Sequence, residues 1–66
     1  MSVLKVIELL SSSNTGWEDA AQKAITKASK SVKNIRSVYV KDQSAHVSDG
    51  KISEYRVTLK VTFELE

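Results

Sequence analysis

The chain has 66 residues, with ten basic residues against eight acidic ones, one histidine and no cysteine. Lack of cysteine excludes disulfides and thiolate metal sites, and a net charge of +2 falls short of the basic excess of a dedicated nucleic-acid binder. A domain of this size buries only about 60% of the surface its unfolded chain exposes, so association with further copies is the stabilising route left most open.

Residues Val3 to Leu10 are rich in branched apolar side chains and lead into Ser11-Ser12-Ser13-Asn14, a loop composition. The segment reads as a strand with both faces partly buried, because its alternation is imperfect. It is interrupted by Lys5 and Glu8, which makes it too short and too polar for a signal-peptide core or a membrane span. The expectation is a soluble, unprocessed, cytoplasmic protein with no membrane partner, in which residues 1–66 form one domain.

Thr15-Gly16-Trp17-Glu18 matches a capping box, in which the Thr15 hydroxyl accepts from the Glu18 amide and the Glu18 carboxylate reaches back to the Thr15 amide. Glu18 and Asp19 in the first turn also suit the positive end of the helix dipole. The pattern predicts a helix over about Gly16 to Val32, with Trp17, Ala20, Ala21, Ala24, Ile25, Ala28 and Val32 on its apolar stripe. Such an alanine-rich face approaches a sheet closely but contributes little apolar area.

Asn34 is the expected stop. Ile35 to Val47 reads as a second strand, and Asp49-Gly50 is a strong hairpin signal because both residues tolerate positive φ. From Tyr55 to Glu66 the chain alternates without a break, placing Tyr55, Val57, Leu59, Val61, Phe63 and Leu65 on one face of a third strand. That run alone is about 40 Å long, whereas a helix of the expected length spans roughly 25 Å. The helix cannot cover the strand. The order is β-α-β-β, a three-stranded antiparallel sheet curled over one helix, in the α+β class.

Chemistry is sparse. His46 has no second nitrogen or thiolate ligand and reads as structural or solvent-facing. The carboxylates are scattered and form no calcium loop, so the sequence names no metal ligands, although acidic groups meeting at a symmetry axis would escape notice. Lys27, Lys30 and Lys33 read as a solvated stripe, because no aromatics interleave with them for base stacking. Trp17 reads as an anchor from helix to sheet. No phosphate loop and no nucleophile with its base is recognisable, so no catalytic residue is assigned and the protein is read as non-enzymatic.

The chain resembles the dodecin family. The resemblance rests on Leu4-Lys5-Val6-Ile7-Glu8, the helix start Trp17-Glu18-Asp19-Ala20-Ala21, Asp49-Gly50-Lys51-Ile52, and Tyr55-Arg56-Val57 with Val61-Thr62-Phe63-Glu64-Leu65. It implies a hollow homododecamer that stores or sequesters small ligands at sites between subunits, flavin being the family default. The flavin-stacking tryptophan of typical members falls at Ser37, a glutamine that meets the flavin edge at Arg56, and an arginine of many bacterial members at Ser44. Ser37 offers no π-face. Flavin (FMN or riboflavin) is therefore expected to bind weakly or not at all, and the chain is similar to the branch that includes calcium dodecins. Its candidate ligands are weak flavin or calcium, its main partner is itself, and the alternatives are a genuine flavin store or a cation-binding or structural shell.

Overall fold

The structure, a computed structural model, describes residues 2–66. Strand β1 (Val3–Ser13) is followed by helix α1 (Trp17–Ala28), then by strands β2 (Ile35–Ser48) and β3 (Lys51–Leu65). The three strands form one antiparallel sheet in the order β1-β3-β2. This is the expected β-α-β-β architecture, and β3, the most regularly alternating segment, takes the central place.

The helix packs on β1 and β3. Its Ala20 is buried together with Val57, Leu59 and Val61 of β3, and Ile7, Leu9, Trp17, Ala21, Ala24, Ile25 and Ile35 close around them. Tyr55 and Phe63 are half-buried at the two ends of the row, and Leu65 lies exposed. The apolar face of β3 is thus covered only in its middle. With 12 residues the helix is about 18 Å long, while β3, with 15, extends about 50 Å. The mismatch is larger than the sequence suggests.

Four local expectations are corrected. The helix ends at Ala28 rather than Val32, because the Ser29 hydroxyl and amide both bond to the Ile25 carbonyl and the amides of Lys30 and Ser31 turn back three residues, to Lys27 and Ala28. The capping box does not form: Gly16 is the N-cap and no side chain caps it. Instead the buried Ser13 hydroxyl donates to the Asp19 carboxylate and accepts from the Thr15 amide. Ser11 to Ser13 continue β1 instead of forming a loop, since Val57, Arg56 and Tyr55 offer them a ladder. Finally, only one face of β1 is partly buried, through Ile7 and Leu9, while Leu4, Val6 and Leu10 are exposed on the other.

The hairpin is as expected. Asp49 and Gly50 have φ of 52° and 74°, the pair of positive values that a type I′ turn requires. Asn34, at φ 63°, bridges to β3: its carbonyl accepts from the Glu64 amide at 3.0 Å.

The molecule is long and thin, 51 × 20 × 13 Å, with a radius of gyration of 13.5 Å, against about 11 Å for a compact chain of this length. Its accessible surface is 4986 Å², where a folded monomer of this mass would expose about 4,200 Å². Among the described residues ten large apolar side chains are exposed, including Leu10 at 79% and Val3 at 60%. No described helix is long and apolar enough to cross a membrane.

Candidate ligand site

The sheet has two faces, and their residues are set by register. Val57, Leu59 and Val61 point to the helix, so Arg56, Thr58, Lys60, Thr62 and Glu64 lie on the opposite face. Ser44 pairs directly with Arg56, and Ser37 with Thr62, so all three candidate residues share this helix-free face.

That sharing depends on a bulge. Ser37 and Ser44 are seven residues apart, which on a regular strand would put them on opposite faces. Lys41 is an extra residue between the Val40–Leu59 and Asp42–Thr58 pairs, and one inserted residue inverts the facing of everything beyond it. Its ammonium reaches Glu8 on β1 at 3.4 Å.

Ser37 nevertheless lies far from the other two. Thr62 and Arg56, their respective partners, are six positions apart on β3, about 20 Å along the strand. One subunit cannot bring Ser37 and Arg56 to the same small molecule. Ser44 and Arg56, in contrast, line one open groove with Leu10, Ser12, Glu54 and Thr58.

The Arg56 Nε donates to Glu54 Oε1 at 2.8 Å. Sequence reasoning passed over Glu54, although Glu54-x-Arg56 on one strand face was a readable signal. From the other side of the sheet, Trp17 Nε1 donates to the Ser44 carbonyl at 2.9 Å, and its ring meets Tyr55 edge-on with centroids 4.8 Å apart. Trp17 is the expected anchor, and what it anchors is the backbone of a candidate site residue.

The remaining candidates stay dispersed. His46 is exposed on β2 opposite Glu54, and its carbonyl accepts from the Ser53 hydroxyl. Lys27 lies in the last helical turn, while Lys30 and Lys33 lie beyond the helix, all exposed. Among the described residues no three His, Cys, Asp or Glu side chains converge as a metal site would require. Glu64, near the far end of β3, is paired with Arg36 at 3.0 Å. Hydrogen bonding from the Ser2 side chain, then from Arg36, holds its carboxyl below the ordinary value of 4.5.

A family model described as Dodecin matches residues 3–66. The calcium dodecin of Mycobacterium tuberculosis is 46% identical over 66 residues, covering 98% of this chain and 92% of that protein. A dodecin of Thermus thermophilus is 34% identical, covering 97% and 93%. Among solved structures, a variant of the T. thermophilus dodecin superposes with a TM-score of 0.94 at 33% identity, covering 100% of this chain and 98% of that one. The M. tuberculosis calcium dodecin, described as calcium-chelating with a novel calcium-binding site, gives 0.83 at 42% identity over 98% and 93%.

Proposed function

The chain belongs to the dodecin family, and on that premise we propose that it is a non-enzymatic, self-assembling shell. Each subunit contributes residues 1–66 as one domain, twelve subunits close the shell, and small ligands are held at sites between them. The observation that carries this reading is the uncovered apolar surface. A buried set of Ala20, Val57, Leu59 and Val61 is too small to hold a domain of this size by itself, and the accessible surface of 4986 Å² exceeds the roughly 4,200 Å² of a folded monomer of this mass. The ~20 Å between the Ser37 and Arg56 rows further supports ligand sites built from more than one subunit.

Flavin is not the ligand these residues favour. Ser37 cannot stack on a ring, and Arg56 offers only donors where a flavin edge presents both donors and acceptors. Calcium is the second reading, favoured by the similarity to a protein described as calcium dodecin. With no three candidate ligands converging in one described subunit, such a site would draw on backbone carbonyls or on a second copy.

Size-exclusion chromatography with light scattering at micromolar protein tests the assembly. A twelve-subunit mass is expected, and a monomer or dimer would overturn the reading. Phe63→Asp, which sets a charge beside the apolar row, should abolish assembly and folding together.

A further inference from the structure

Register places three hydrogen-bond donors side by side across the full width of the sheet. Ser12 of β1 and Ser44 of β2 both pair with Arg56 of β3, all on the helix-free face. Directly opposed residues of an antiparallel pair have their Cβ atoms about 4.5–5.5 Å apart, so the two serines stand about 10 Å from each other with Arg56 midway between them, and an anion seated over Arg56 has one hydroxyl on either side. We propose that this Ser12–Arg56–Ser44 row is an oxyanion site that takes the phosphate of a phosphate monoester. The inference rests on the reading of the protein as a small-ligand shell and names the ligand class for one part of it.

Hydrogen-bonding capacity is the first support. Arg56 uses its Nε on Glu54, and no other side chain among the described residues accepts from its guanidinium. Both terminal nitrogens are therefore free to form the parallel pair of bonds that phosphate geometry favours. The hydroxyls of Ser12, Ser44 and the neighbouring Thr58 have no side-chain hydrogen bond among the described residues, unlike Ser13, Ser29, Ser31 and Ser53, whose hydroxyls are engaged.

Shape and rigidity are the second. The row lies in an open groove whose apolar flank is Leu10, 79% exposed on the same face. That neighbour suits the organic part of a monoester better than free phosphate alone. The strands fix Ser12 and Arg56, and the Trp17 hydrogen bond fixes Ser44 from behind, so the donors are pre-positioned.

Glu54 gives the site a built-in competitor. Its carboxylate lies on the Arg56 Nε at 2.8 Å and offers part of what an arriving oxyanion would supply. Removing that charge should therefore tighten binding, whereas in a merely structural ion pair the same change would leave phosphate affinity untouched.

The test is calorimetric titration of the assembled full-length protein with phenyl phosphate, inorganic phosphate and, as the uncharged control, phenol. Phenyl phosphate should bind, inorganic phosphate should bind more weakly and compete with it, and phenol should not bind. Arg56→Gln should weaken phenyl phosphate about tenfold or more, Ser12→Ala and Ser44→Ala about threefold each, and Glu54→Gln should strengthen it about two- to fivefold. Failure of phenyl phosphate to bind at millimolar concentration, equal binding by Arg56→Gln, or no gain from Glu54→Gln overturns the assignment. Light scattering on the same samples separates this failure from that of the shell reading: an intact shell that ignores phosphate refutes only the anion site.

Discussion

Trp17 is the chain's only tryptophan, and its substitution separates two kinds of contact between helix and sheet. Trp17→Phe keeps an aromatic ring against Tyr55 but deletes the indole N–H that the Ser44 carbonyl accepts at 2.9 Å. A hydrogen bond of this kind contributes about 0.5–1.5 kcal/mol net. Trp17→Ala loses in addition the edge-to-face pair, worth about 0.5–1.5 kcal/mol, and the area of a half-buried ring. The expected order is parent, then Trp17→Phe lower by about 1 kcal/mol, then Trp17→Ala lower by about 3 kcal/mol or more. Urea unfolding followed by circular dichroism measures it, at one fixed protomer concentration because the proposed assembly would couple stability to mass action. Amide exchange at Ser44 and Ala45 provides the local readout, and Trp17→Phe should speed it. Equal stability of Trp17→Phe and parent, with unchanged exchange at these residues, would refute the account of Trp17 as the clamp behind Ser44.

Gly50→Val should cost about 1–2 kcal/mol in the same unfolding assay, through the left-handed backbone alone, because a Cβ at Gly50 meets nothing within 4 Å. Ser2 and Arg36 hold the Glu64 carboxyl below 4.5, so its contribution is fully present above that value and is lost as pH falls through the lower folded-state value; Glu64→Gln should flatten that acid limb in a pH series of thermal melts. Flavin should bind weakly, and Ser37→Trp combined with Arg56→Gln should tighten riboflavin binding about tenfold or more in a fluorescence titration, since one aromatic stack is worth roughly 1–3 kcal/mol. Tight quenching by the unmodified protein would show that this face holds the ring by other means.

Features governed by local chemistry were legible in the sequence. Asp49-Gly50 turns because of what those two residues tolerate at φ, and the β3 face follows from period two. The helix end was not legible, because Ala28 and Val32 continue the apolar stripe while the Ser29 back-bond to Ile25 and the tight turns after it leave no mark in that pattern. Ser11 to Ser13 show the opposite conflict: their composition says loop, but pairing with Tyr55 to Val57 overrides it. Thr15 and Glu18 had the residues for a capping box, but the Thr15 amide bonds to the Ser13 hydroxyl, which itself donates to Asp19, a contact that depends on where β1 ends.

The candidate site was half legible for a related reason. A resemblance could name Ser37, Ser44 and Arg56, but only the register shows that two of them touch one groove and the third is distant. Register here depends on irregularities at Arg36, Lys41 and Ser53, which come from pairing between strands rather than from any one segment. The consequence is a division of labour along β3. Odd-numbered residues from Tyr55 to Phe63 face the helix and decide whether the chain folds. Even-numbered residues from Glu54 to Glu64 face away, carry the charges and hydroxyls, and include the proposed ligand residue Arg56. Ligand chemistry on this frame can therefore change by substitution at even positions at little cost to the fold. Arg56→Gln should alter anion affinity about tenfold while shifting stability by only a few tenths of a kcal/mol, as expected for an exposed ion pair.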